Sequence, residues 1–180
     1  MARRRLTGVL LVGGASSRFG SPKALARLEG ETLAERAWRV LGDSCDERIA
    51  VGKRSDGLEL PFPVVDDGTD ARSALAGVVA GLGAASEEVV VFLPVDVPLV
   101  SPALIAKLGA ACDQAAVTAT GPLPAAVARQ ALPVLERRLA AGELRLADAL
   151  AELRTVTVEA DPAELANVNR PEDLAALSSP

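Results

Sequence analysis

Histidine is absent from the 180 residues, and so is tyrosine. The first absence excludes Ser-His-Asp and Cys-His catalysis, HExxH zinc sites and histidine proton relays. Any catalysis must draw on carboxylates, Lys, Arg, backbone N–H groups or a bound hard cation. The two cysteines, Cys45 and Cys112, make neither a disulfide framework nor a CxxC metal pair, and are expected to be small buried or half-buried thiols. Aromatics amount to 2 %, so the core must be built from Leu, Val and Ala. A net charge of −5 argues against a nucleic-acid surface, although a local basic cluster can still hold a compact anion. Long hydrophobic runs are missing too. The apolar stretch after Arg3, Arg4 and Arg5 ends at Gly13, far short of the roughly 20 residues that span a bilayer. It has strand character and leads into a continuing α/β pattern, which disfavours a signal peptide. The expectation is a cytoplasmic protein with no membrane or nucleic-acid partner.

What is present is a regular alternation. Leu6–Val12 reads as a buried strand entering a glycine loop. Thr32–Leu41 carries apolar residues at helical spacing, and Thr32 with Glu35 has the spacing of a capping box. Ile49–Val51 and Pro63–Val65 are predicted as short strands, Ser73–Leu82 as a helix, and Glu88–Leu93 as a strand ending at Pro94-Val95-Asp96-Val97-Pro98. Ser101-Pro102 has the form of an N-cap and first-turn proline, opening a helix through Ala111. Ala115–Ala119 and Ala125–Val127 are predicted as strands around a Gly121-Pro122 turn. Leu132–Ala141 reads as a helix, Thr155–Glu159 as a strand and Pro171–Leu177 as a short helix. With no repeat or long linker, this pattern predicts one α/β domain over residues 1–180. Its sheet should be Rossmann-like and mainly parallel, with helices on both faces.

In such sheets ligands sit beyond the carboxyl ends of the strands, and two informative segments lie there. In Leu11-Val12-Gly13-Gly14-Ala15-Ser16-Ser17-Arg18-Phe19-Gly20-Ser21-Pro22-Lys23, the glycines allow close backbone approach, and Arg18 and Lys23 add charges suited to a polyphosphate. The segment is neither GxxxxGK[ST] nor GxGxxG, and a plain surface connection is the alternative. Asp96 follows a strongly apolar strand between Pro94 and Pro98, a position suited to a Mg²⁺ ligand or to the bend of a tight turn. Asp66-Asp67 closes another strand in the same topological position. A basic glycine loop among acidic strand ends suggests a metal–nucleotide site.

The pattern Leu-x-Gly-Gly-x-x-x-Arg-x-Gly-x-x-Lys from Leu11 to Lys23 resembles the signature loop of the molybdenum cofactor guanylyltransferases. Leu75-Ala76-Gly77, Pro94-Val95-Asp96-Val97-Pro98 and Asn167-Val168-Asn169-Arg170-Pro171-Glu172-Asp173-Leu174 follow in the family's order. The resemblance implies a nucleotide-diphospho-sugar transferase-like fold, with a nucleotide-binding N-terminal half and an acceptor-binding C-terminal half. It implies that the backbone of Leu11, Val12, Gly13 and Gly14 contacts a guanine nucleotide and that Arg18 and Lys23 meet its phosphates. Asp67, or Asp66 in its stead, would belong to the nucleotide site, and Asp96 would bind Mg²⁺ and nucleotide. Arg18, Lys23 and Asp96 would be the catalytic set. Asn167 and Asn169 would lie on the molybdopterin side, unless they are only a cap before the last helix.

The implied reaction is Mg²⁺-dependent transfer of GMP from GTP to the terminal phosphate of molybdopterin, with release of pyrophosphate and transient contact with cofactor-insertion proteins. Such chemistry needs positioning and charge stabilisation rather than a protein base. The chain departs from the family pattern in three places. Gly52 stands where the family has Asn, Arg72-Ser73-Ala74 precedes Leu75 where Gly-Pro is usual, and the stretch around Gly121-Pro122-Leu123-Pro124 is shorter and less polar. The rival readings are a cytidylyltransferase or other small-phosphate nucleotidyltransferase, and a non-catalytic nucleotide-binding domain.

Overall fold

Apolar runs too short to be helices, separated by amphipathic stretches, can bury both faces only as strands between two helical layers. The computed structural model, which describes residues 4–13 and 20–177, has this arrangement. Strand β1 (Leu6–Leu11) is followed by a small hairpin of β2 (Arg27–Leu28) and β3 (Glu31–Thr32), helix α1 (Leu33–Ser44), β4 (Glu47–Gly52) and β5 (Val64–Asp66). Helix α2 (Ala74–Ala84), β6 (Val89–Pro94), α3 (Pro102–Ala111), β7 (Ala115–Thr118) and β8 (Gly121–Ala128) come next. The chain then forms α4 (Leu132–Ala140), α5 (Leu146–Ala151), β9 (Thr155–Val158) and α6 (Pro171–Leu177).

The main sheet has seven strands in the order β5-β4-β1-β6-β8-β7-β9. Strands β5, β4, β1 and β6 are parallel, β8 is antiparallel to both neighbours, and β9 is parallel to β7. Every residue of β1 is buried, and the side chains alternate between two cores. Leu6 and Leu10 join Leu41 of α1, Ile105 of α3 and Leu174 of α6. Val9 and Leu11 join Leu82 of α2, Leu135 of α4 and Leu150 of α5. Helix α2 lies so close to the sheet that a Cβ on Gly81 would come within 2.7 Å of Phe92 Cε1 and 2.9 Å of Val9 Cγ1.

The local signals behave as their chemistry requires. Thr32 Oγ1 accepts from Glu35 N while Thr32 N donates to Glu35 Oε2, closing the capping box. Ser73 caps α2, and Ser101 with Pro102 opens α3. Neither cysteine forms a disulfide; Cys112 is buried, which pushes its thiol up to about 11. No helix among the described residues is long and apolar enough to cross a membrane.

Three details differ from expectation. The β7–β8 turn is at Ala119-Thr120, and Gly121-Pro122 begins β8. Pro122 and Pro124 are tolerated there because the β6–β8 ladder reaches only to Ala125 and the β7–β8 register shifts between Val117 and Thr118, so no ladder N–H is demanded of them. Helix α5 gave no sequence signal, because six residues are too short a window for helical periodicity. The β2–β3 hairpin was equally unpredicted. Glu29 and Gly30 turn it with φ of 53° and 86°, the signs of a type I′ turn, and Glu is an uncommon residue at the first of these positions.

The order of strands matters most for the site. After β1 the chain adds β4 and β5 on one side, then crosses through α2 to place β6 on the other. The resulting crevice lies beyond the carboxyl ends of β1, β4 and β6.

Candidate active site

A cavity of about 250 Å³ occupies that crevice. Leu11, Val51, Gly77, Pro94 and Leu123 give it apolar walls. Ser73 and Ala74, at the N-terminus of α2, bring the positive end of that helix to its lining. Glycine matters at two places. A Cβ on Gly77 would lie 2.9 Å from Leu11 Cδ2, and one on Gly52 would lie 2.7 Å from Val12 Cγ2, so backbone forms the wall where side chains would collide.

The predicted residues separate into those the fold gathers here and those it does not. Leu11, Gly13, Asp67 and Asp96 line the cavity. Val12 turns its side chain into the core on the α1 side, and its N–H is taken by Val51 O at 3.0 Å. Gly14 and Arg18 lie outside the described residues. Lys23 opens a single 3-10 turn behind Pro22. Its Nζ lies 3.8 Å from Asp96 Oδ2 and donates to Asn169 Oδ1 at 3.4 Å. Val168 N donates to Asp96 O at 2.8 Å, tying the C-terminal segment to the β6 end. Asp173 Oδ2 in turn accepts from Asn169 N and Arg170 N. Residues separated by most of the chain therefore converge around Asp96. Asn167 is exposed beside the buried Val168.

The two neighbouring aspartates take different parts. Asp66 accepts from Arg54 N and Gly68 N, which hold its carboxyl below the usual range, and it faces away from the cavity. Asp67 faces into the cavity and is ion-paired with Lys53 at 2.9 Å. Lys53 also donates to Thr69 O, so the pair fastens the loop that leads into α2. At Asp96 the balance differs. Burial pushes its carboxyl up, and the charge of Lys23 offsets this only in part.

Three charged residues of the cavity were missed by sequence reasoning: Lys53, Asp56 and Arg72, the last noted only as a departure. Arg72 Nη2 donates to Asp56 Oδ1 at 2.8 Å. Lys53 follows β4 immediately, so the strand-end rule that pointed to Asp96 could have found it. Asp56 ends the 3-10 turn Arg54–Asp56, in a segment without any motif.

The sequence family described as the MobA-like NTP transferase domain matches residues 8–162. The chain belongs to the MobA-like NTP transferase family. It is a nucleotidyltransferase. A probable molybdenum cofactor guanylyltransferase of Opitutus terrae is 38 % identical, with 93 % of this chain and 92 % of that protein covered. The molybdenum cofactor guanylyltransferase of Burkholderia ambifaria is 34 % identical, with 96 % and 95 % covered. Among solved structures, the molybdopterin-guanine dinucleotide biosynthesis protein A of Archaeoglobus fulgidus superposes with a TM-score of 0.81 at 23 % identity, over 96 % of each chain. That likeness establishes the α/β fold of this MobA-like chain. The crevice at its strand-order reversal is where that fold places ligands.

Proposed function

We propose that this nucleotidyltransferase transfers GMP from GTP to the terminal phosphate of molybdopterin in a Mg²⁺-dependent reaction that releases pyrophosphate. The observation that carries the reading is the meeting of Asp96, Lys23 and Asn169 beside an apolar cavity, in a chain whose relatives bear the guanylyltransferase name. The nucleoside would occupy the cavity, with the backbone of Leu11 to Gly14 along it and Asp67 in its lining. The N-terminal half of the single domain then serves the nucleotide. The C-terminal half, with Asn167 and Asn169, serves the acceptor. The setting is cytoplasmic, where cofactor-insertion proteins would receive the product.

The residues fit a magnesium ion. Among the described residues no group of three or more His, Cys, Asp or Glu side chains is gathered to hold a metal. Mg²⁺ needs no such cage, since it commonly takes one or two carboxylates and completes its shell with substrate phosphates and water. Asp96 is such a carboxylate, and burial raises its carboxyl in a way that a bound cation would relieve. When bound, the ion neutralises charge on the transferring and leaving phosphate oxygens. Lys23 adds a fixed positive charge at the same place, and Arg18 is the second cation of this role. The attacking phosphate oxygen is ionised at neutral pH, forms the bond to the α-phosphorus and displaces pyrophosphate, so no protein base is required.

Pyrophosphate release from GTP and molybdopterin tests the reading directly. Release should require both substrates and Mg²⁺, and CTP should not replace GTP. Asp96→Asn should lower the rate by about 10²-fold or more, as loss of a group stabilising transition-state charge does. An unchanged rate in that variant would remove Asp96 from the metal site, and no release with GTP would overturn the guanylyl assignment.

A further inference from the structure

The cavity has two chemically different ends. Asp96, with Lys23, follows β6, whereas Asp56 and Arg72 lie on the side of β4. Strand β1 runs between β4 and β6, so about two strand spacings, roughly 10 Å, separate the ends. Apolar walls from Leu11, Val51, Gly77 and Leu123 join them. A nucleotide laid across this cavity with its phosphates toward Lys23 would bring its base to the Asp56 end.

We infer that Asp56 reads the base, accepting hydrogen bonds from the N1–H and N2–H₂ of guanine, and that Arg72 is the positioning residue that holds its carboxylate. The inference rests on the GTP reading above. The geometry supports it in three ways. Asp56 Oδ1 accepts from Arg72 Nη2 at 2.8 Å, which orients the carboxylate plane. Its Oδ2 is turned to Gly13, 4.0 Å from where a Cβ on that residue would be, and accepts no hydrogen bond from the described residues. The other carboxylate on this side, Asp67, is already occupied by Lys53 at 2.9 and 3.0 Å and by Thr69 N.

A carboxylate only accepts, and that decides which base it suits. Guanine alone among the common bases presents two adjacent donors, N1–H and the N2 amine. Adenine and cytosine place an acceptor beside their amine, which a carboxylate repels. Uracil has a single donor between two carbonyls. Oδ1 keeps a second lone pair while bound to Arg72, so both carboxylate oxygens can serve the base.

The test is calorimetric binding of GTP, ITP, 2′-deoxy-GTP and CTP, each with Mg²⁺, to the full chain and its variants. ITP lacks only the N2 amine. The wild-type chain should bind GTP about tenfold or more tightly than ITP, the worth of one well-placed base contact. Asp56→Asn should bring that ratio close to one while leaving the 2′-deoxy-GTP to GTP ratio unchanged. Arg72→Ala should lower the GTP to ITP ratio and Arg72→Lys restore part of it, a pattern that loss of fold alone would not give. Equal wild-type affinity for GTP and ITP, or an Asp56→Asn variant that keeps the ratio, overturns the inference. So does a change confined to 2′-deoxy-GTP, which would assign Asp56 to the ribose. If Asp56→Asn does not fold, the Arg72 pair and the wild-type ratio decide. A wild-type chain that prefers CTP overturns the guanylyl reading as well, whereas GTP preferred over CTP but equal to ITP overturns the Asp56 assignment alone.

Discussion

Replacing Lys53 by Met separates the structural from the binding role of the cavity's buried ion pair. Lys53 Nζ and Asp67 Oδ1 are 2.9 Å apart, with side chains only 10 % and 7 % exposed. At an effective dielectric of about 20 their attraction is about 6 kcal/mol, most of which offsets the cost of taking both charges from water. Lys53→Met removes the attraction and leaves the Asp67 charge buried, with Thr69 N as its remaining donor. The expected loss of stability is about 3–5 kcal/mol. With a urea slope of about 2 kcal/mol/M, the unfolding midpoint should fall by roughly 1.5–2.5 M. The double variant Lys53→Met/Asp67→Leu removes both charges and should recover to within about 1 kcal/mol of wild type. GTP affinity should not recover, because the loop that carries Arg72 loses the ties of Lys53 to Asp67 and Thr69 O. A single-variant shift below about 0.5 M, or a double variant no more stable than the single, would refute this account of the pair.

Gly81→Ala should destabilise by about 1–3 kcal/mol, although alanine is the better helix former by about 1 kcal/mol; the new Cβ would meet Phe92 and Val9 in the core, and thermal unfolding reads the sign. Gly52→Asn should fold less stably because its Cβ would lie 2.7 Å from Val12 Cγ2. Adding Val12→Ala should recover part of that loss in the same unfolding assay. At Glu47, burial raises the carboxyl, but hydrogen bonds from Ser86 and Thr7 and the charge of Arg129 outweigh it and hold the group below its usual value. A folded value below the unfolded one stabilises above the unfolded value and is lost as pH falls through the folded one. Glu47→Gln should therefore lower the melting temperature at pH 7, and the gap to wild type should close below about pH 4. A gap independent of pH would count against that balance.

The sequence alone determined what depends on near neighbours along the chain. The Thr32 and Glu35 capping box, the Ser101-Pro102 helix start and the continuous apolar runs of β1 and β6 are specified within a few residues of each other, and all formed as read. The signature loop and its companion motifs likewise made the family legible before any geometry. Tertiary structure decided which strand ends face one another. Hydrophobic periodicity states that a face is buried but not which strand lies beside it, so the crevice of β1, β4 and β6 could only be expected as a type. Lys23 meets Asn169 across 146 positions, Lys53 meets Asp67 across 14, and Arg72 meets Asp56 across 16. Asp66 and Asp67 are adjacent and alike in sequence, yet successive side chains at a strand end point to opposite sides. That alternation placed Asp67 in the cavity and committed Asp66 to the loop.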